Sequence, residues 1–208
     1  MKFVDLFKNK NNNKATNSEC LFFDDDTGLE WFRVDDVAND RVENAFNELR
    51  TWSKDQAVQR FIAQKFSLDL IFKSFICDAK NHCVKYYSNL YFCYENKNVV
   101  GISFLSQPHG DNDYSTIEYL LVNPNFYNKG IGTRMVSSIS KNTDFFFGKN
   151  HGSGIMASVE ESNKKSENVF SKNNFSMIGR NRSDAGRVYS IFFKKLDDCN
   201  LNNDEKSL

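Results

Sequence analysis

The chain has 208 residues, 40% of them hydrophobic and 20 of them Phe, with 27 Lys+Arg against 27 Asp+Glu. That length suits one domain with an aromatic-rich core. A formal net charge of zero gives no global argument for nucleic acid or an anionic membrane, and neither is expected as a partner.

No segment has the roughly 18 consecutive apolar residues of a membrane helix, and the opening MKFVDLFKNKNNNK lacks the apolar stretch of a secretory signal. The five cysteines, Cys20, Cys77, Cys83, Cys93 and Cys199, are odd in number and contain no Cys-x-x-Cys pair. That pattern fits neither a disulfide framework nor a zinc site. His82, Cys83 and Cys77 are the one cluster of soft ligands, and the two cysteines read as ordinary buried or surface thiols; no metal is expected. A reducing, cytoplasmic setting follows, with secretion by a route that leaves no N-terminal signature still open. The Asn- and Lys-rich character points to an AT-rich microbial, bacterial genome.

Residues 1–20 end in the polar, low-complexity run KNKNNNKATNSEC and read as a flexible lead. A single domain is expected over 21–196, helical to about residue 85, with the remaining core at 88–195. Residues 197–208 read as a loose tail. Asp35 or Asp36 caps a predicted helix with Val37, Val42, Ala45, Phe46 and Leu49 on one stripe. A second predicted helix begins near Ser53 and carries Ala57, Phe61, Ile62, Phe66, Leu70 and Ile71. The runs SNLYFCYE (88–95) and VVGISFLS (99–106) read as a hairpin turning at Asn96-Lys97-Asn98. TIEYLLV (116–122) is a third strand, followed by a glycine loop and a helix through about Ile139. A strand at 155–159, a helix at 163–172 and strands at 175–179 and 187–194 complete the chain. The pattern predicts an α+β fold: a central mixed, mostly antiparallel sheet flanked by helices on both faces.

The glycine loop, Lys129-Gly130-Ile131-Gly132-Thr133, lies between a strand and a helix. The first N–H groups of a helix lack internal acceptors and carry partial positive charge. A Gly-x-Gly turn lets those groups approach phosphate oxygens. It is equally a plain turn on geometry alone. It is not a Walker A loop, for no Gly-Lys-Ser/Thr is present, nor a dinucleotide Gly-x-Gly-x-x-Gly, since position 135 is Met.

Two motifs decide between these readings. Val122-x-Pro124, leading to Tyr127-Asn128-Lys129-Gly130-Ile131-Gly132-Thr133, resembles the acetyl-CoA loop of the GNAT superfamily of N-acetyltransferases, Arg/Gln-x-x-Gly-x-Gly/Ala after a strand ending in Val-x-Pro. Residues 163–175, NKKSENVFSKNNF, are similar to that family's Asn-x-x-(Ala/Ser)-x-x-(Leu/Val)-Tyr-x-Lys-x-Gly-Phe, and they lie in the family's order and at about its separation. The resemblance covers about 88–195. It implies that acetyl-CoA is the co-substrate and an amine, small or on a protein, the acceptor. Backbone at Leu120, Leu121 and Val122 would bond the pantetheine arm. Backbone N–H groups of Asn128, Lys129, Gly130, Ile131, Gly132 and Thr133 would hold the pyrophosphate, and Asn163 would reach the arm from the other side. Transfer would be direct, in a ternary complex, by a monomer or homodimer.

The chain departs from the family pattern at three positions. Tyr127 stands for the Arg or Gln that opens the loop, and Asn174 for the Gly before Phe175; Asn tolerates the left-handed conformation. Phe170 stands for the frequent Tyr that protonates the leaving thiolate, a step worth about 10²–10⁴-fold. An acyl-CoA-binding module with little or no transfer is therefore the alternative function. Glu118 is the candidate general base, placed by alternation on one face with Thr116, Leu120 and Val122. A plain surface charge is the competing reading. Ser158 stands where some protein-acetylating relatives carry Glu, with Glu160 two residues on. Asp111, Asp113 and Glu118 make the approach to the third strand acidic, favouring a cationic acceptor such as a polyamine, aminoglycoside or lysine.

Overall fold

In the computed structural model residues 21–34, 40–52, 54–60 and 88–196 are described. Eight strands form one sheet: β1 (Leu21–Asp24), β2 (Leu29–Arg33), β3 (Ser88–Glu95), β4 (Asn98–Ser106), β5 (Ser115–Val122), β6 (Gly154–Glu160), β7 (Ser176–Arg182) and β8 (Val188–Lys195). Their spatial order is β1-β2-β3-β4-β5-β6-β8-β7. Every neighbouring pair is antiparallel except β5 and β6. Among the described residues the α-helices are α1 (Asp40–Trp52), the single turn α2 (Gln56–Val58), α3 (Ile131–Lys141), α4 (Thr143–Phe147) and α5 (Lys164–Lys172), with a 3-10 turn at Pro124–Phe126. The α+β class and the mixed, mostly antiparallel sheet agree with the sequence expectation.

Two strands occupy the start of the half expected to be helical. Leu21–Asp24 and Leu29–Arg33 form a hairpin at one sheet edge, turning through Gly28 at φ 67°. The expected caps Asp35 and Asp36, and everything assigned to 61–87, lie outside the described residues. The β3–β4 hairpin turns through Asn96 and Lys97, both at positive φ, the conformation that matches strand twist in a two-residue loop.

Each face of the sheet buries its own core. On one side α1 sets Ala45, Phe46, Leu49 and Trp52 against Phe92, Ile102 and Leu121, with Val58 of α2 beside them. On the other, α3 sets Ile131, Met135, Val136 and Ile139 at helical spacing against Trp31, Leu105 and Ile117. Three polar contacts seat α3 further. Trp31 Nε1 donates to Ser138 Oγ at 2.9 Å. Arg134 donates to the Thr27 carbonyl at 2.9 Å and to Glu95 Oε1 at 2.6 Å. These contacts fix the direction of α3, and therefore where its positive N-terminus points.

Candidate active site

The parallel pair β5–β6 is short. Ser115, Thr116 and Ile117 pair with Ile155, Met156 and Ala157, and pairing stops there. Beyond that point β5 stays with β4 through Val122, and β6 stays with β8 through Glu160. The facing backbone edges of 118–122 and 158–160 therefore lose their strand partner. Buried N–H and C=O groups require one, so this slot suits an extended ligand that carries amides.

A bulge accompanies the parting. Phe104 pairs with Tyr119 and Leu105 with Ile117, leaving Glu118 unpaired. Bulges bend the strand that carries them, and this one also reverses the alternation. Ile117 faces the α3 side, yet so do Leu120 and Val122, whereas Leu121 faces α1. Thr116 therefore points away from Leu120 and Val122, and the sequence expectation of one shared face is corrected. The extra residue at the bulge shifts the parity by one.

The slot opens into a cleft of about 790 Å³, within the range of small-molecule sites. Glu118, Leu120, Leu121, Val122, Asn128, Gly130, Ile131, Gly132, Thr133 and Asn163 all line it. Lys129 does not; its ammonium lies 4.7 Å above the Phe126 ring. Asp111 and Asp113 are likewise absent from the lining, because they precede β5 at its far end. The acidic approach expected from sequence shrinks to Glu118.

The glycines serve two different ends. Gly130 caps α3 at φ 76°, in left-handed conformation, which ordinary residues adopt at a cost. The first helical bond runs from Arg134 N–H to the Gly130 carbonyl at 3.0 Å, so the N–H groups of Ile131, Gly132 and Thr133 have no acceptor within the helix. At Gly132 a Cβ would meet Val122 Cγ2 at 3.4 Å and Val169 Cγ2 at 3.5 Å. A side chain there would project into the slot between β5 and α5. The donor set, three free N–H groups at a positive helix end, fits a diphosphate. Asn163 has a structural duty as well, its Oδ1 capping α5 through Ser166 N–H at 3.2 Å.

On the opposite lip stand Ala57, Val58, Ser158, Glu160, Arg187, Tyr119 and Tyr189. Glu160 is already engaged, by Arg187 at 3.3 Å and by Ser162 Oγ at 2.7 Å. Glu118 is exposed, and no hydrogen bond or ion pair ties it to the described residues. Burial pushes the Tyr119 phenol upward, and the Glu118 carboxylate and Tyr189 add to the shift. Phe170 is 3% exposed, its ring edge-on to Phe175 at 5.2 Å and stacked on Phe192 at 5.8 Å. Cys93 is buried and not in the lining; burial lifts its thiol well above the usual range, which is unsuited to a nucleophile.

Among the described residues no group of three or more His, Cys, Asp or Glu is placed to hold a metal, and no helix is long and apolar enough to cross a membrane. Sequence reasoning missed Asp55, Tyr119 and Tyr189. Tyr119 and Tyr189 alternate within strands and carry no motif, and Asp55 acts through a contact distant in sequence.

No curated protein matches the chain in sequence. Among solved structures, an acetyltransferase from Salmonella typhimurium that modifies the N-terminal serine of 50S ribosomal subunit protein L7/L12 superposes with a TM-score of 0.63 at 15% identity, covering 82% of this chain and 96% of its own. Spermidine N-acetyltransferase from Vibrio cholerae, in complex with CoA and spermine, gives 0.61 at 11% identity, covering 81% and 96%. A probable acetyltransferase from Staphylococcus epidermidis gives 0.58 at 14%, covering 81% and 99%. At such identities the likeness is one of fold. The model of the acetyltransferase (GNAT) family matches residues 46–175, well over half of the sequence. The chain belongs to the GNAT acetyltransferase family, whose co-substrate is an acyl-CoA.

Proposed function

We propose that this chain moves an acetyl group from acetyl-CoA to an amine by direct attack in a ternary complex. The observation that carries the reading is the slot, where two strands part beside the free N–H groups at the head of α3. Those N–H groups take the pyrophosphate, and the unpaired edge of Leu120–Val122 takes the amides of the pantetheine arm. Asn163 meets the arm from α5. The amine enters from the lip formed by Val58, Tyr119 and Tyr189. Glu118 takes its proton, the C–N bond forms, and backbone N–H near Val122 stabilises the oxyanion. The C–S bond then breaks and CoA leaves as thiolate. Phe170 has no proton to give, so that thiolate is protonated from water.

The test is CoA-thiol release with acetyl-CoA and a panel of amines that includes polyamines and a peptide with an N-terminal serine. Amine-dependent release that disappears in the G130A/G132A double variant supports the reading. Amine-independent hydrolysis alone, or no release, overturns it. One observation favours a second reading, a fold that holds acyl-CoA with little turnover: Phe170 packs within an aromatic cluster and offers no acid. Tight acetyl-CoA binding without release across the whole panel is its signature.

A further inference from the structure

Tyr127 opens the cofactor loop where relatives carry Arg or Gln, and the structure gives it a different partner. Its hydroxyl donates to Asp55 Oδ1 at 3.3 Å, across 72 residues of sequence. The same Oδ1 accepts from Ala57 N–H at 2.9 Å and from Val58 N–H at 3.1 Å, and so holds the turn α2 in shape. Ala57 and Val58 line the cleft on the lip opposite α3 and α5, while Tyr127 lines it at the loop. One carboxylate oxygen thus joins the two walls. Val58 is 1% exposed and belongs to the α1-side core, so this wall is a packed element.

We propose that Tyr127 and Asp55 are positioning residues that couple the cofactor loop to the acceptor wall, so that filling the loop with CoA tightens the turn Gln56–Val58. The inference rests on the CoA reading above and adds to it a route between the two substrates. The physical argument is a shared acceptor. Tyr127 is followed directly by Asn128, held in left-handed conformation at φ 63°, and by the N–H groups that would clamp a diphosphate. Clamping them restricts the Tyr127 backbone, which shortens the range of its hydroxyl and hence of Asp55. Asp55 in turn sets the positions of two backbone N–H groups in the opposite wall. Burial first and the Asp55 carboxylate second push the Tyr127 phenol up to about 12, so the hydroxyl remains a donor at every physiological pH. With its hydroxyl donating to Asp55, Tyr127 leaves the proposed diphosphate to the backbone N–H groups that follow it.

Amide hydrogen exchange on the full chain, with and without saturating CoA, tests the coupling. In the wild type CoA slows exchange at Gly130–Thr133 and also, by about fivefold or more, at Ala57 and Val58; coupling factors commonly span about 5–150. Two variants cut the link in different ways. Tyr127→Phe removes the donor, and Asp55→Ser keeps a side-chain cap for α2 while falling short of Tyr127. Each is expected to keep the CoA protection at Gly130–Thr133 and to lose the CoA-dependent change at Ala57 and Val58. Protection of the loop with no change at Ala57 and Val58 in the wild type overturns the coupling while leaving the CoA site intact. Undiminished transmission in Tyr127→Phe also overturns it. Unaltered exchange at Gly130–Thr133 in the wild type removes the CoA reading, and the coupling with it.

Discussion

Gly132→Ala is the sharpest probe of the slot, because it is expected to move stability and ligand binding in opposite directions. Gly132 is the second residue of α3, where Ala is the better helix former. Replacing Gly by Ala in a helix gains about 0.5–1 kcal/mol, and a first-turn position belongs at the lower end. The added Cβ lies 3.4 Å from Val122 Cγ2, 3.5 Å from Val169 Cγ2 and 4.0 Å from Leu120 Cδ2, ordinary contacts that require nothing to shift. The melting temperature should therefore rise by about 1–2 °C, since 1 kcal/mol corresponds to about 2–4 °C in a domain of this size. The same methyl group stands between β5 and α5, in the path proposed for a pantetheine arm and next to the N–H groups proposed to meet a diphosphate. A hydrogen bond to a charged group is worth about 1.5–3 kcal/mol, so weakening one raises the CoA dissociation constant about 10–100-fold. Gly130→Ala is the counterpart. It finds open space but must adopt φ 76°, at a cost of about 1–2 kcal/mol, so stability and binding fall together. Calorimetric titration with CoA and thermal unfolding without ligand read both quantities. Gly132→Ala that binds CoA like the wild type, while remaining folded, refutes the placement of the cofactor in this slot.

Three further outcomes follow from the site. Phe170→Tyr restores a phenol at the cleft wall and should raise turnover at least about tenfold, general acids contributing about 10²–10⁴-fold; an unchanged rate in steady-state kinetics shows that thiolate protonation does not limit this enzyme. Glu118→Gln should lower kcat at least about tenfold, while Glu160→Gln, whose carboxylate is already held by Arg187 and Ser162, should change it little; near-normal turnover in Glu118→Gln removes the residue from the role of base. Tyr127 has a phenol raised from 10.0 to about 12, so its folded form keeps a proton that the unfolded form releases. The stability this confers is complete below about pH 10 and is lost as pH rises from about 10 towards 12. Urea unfolding at pH 8, 10 and 11.5 should show the gap between wild type and Tyr127→Phe narrowing over that interval; a gap independent of pH contradicts the raised phenol.

The loop wall of the cleft was legible in the sequence because the features that make it a candidate cofactor site are local. A diphosphate is held by consecutive backbone N–H groups, so Gly130, Gly132 and the preceding Val122-x-Pro124 had to lie close together in the chain, while Asn163 is announced by a second local motif as the cap of α5. The acceptor half is built from residues distant in sequence, with contacts that no periodicity announces. Tyr127 meets Asp55 across 72 residues, and Tyr189 reaches the lip through pairing with Glu160 on β6. Short elements hide for a related reason. α4 is TDFFF, five residues, too few to show a 3.6-residue period. β1 has four residues and ends in the acidic turn Asp24-Asp25-Asp26, so its alternation hardly begins. The bulge at Glu118 matters most for function. Alternation assigns faces on the assumption that each residue has a cross-strand partner, and one unpartnered residue inverts every assignment on one side of it. The error therefore fell on the strand that parts from its neighbour, at the point where the two separate. One extra residue in β5 is what displaces Glu118 from the ladder, and beyond it β5 and β6 separate. Deleting Glu118 should accordingly do more than remove a carboxylate: Leu120 and Val122 stay on the α3 side, because Ile117 and Tyr119 already pair with the adjacent Leu105 and Phe104, but β5 loses the bend that a bulge supplies and CoA binding should weaken with it, whereas Glu118→Gln should leave that binding intact. Equal CoA affinity in the deletion and in Glu118→Gln would separate the bulge from the slot.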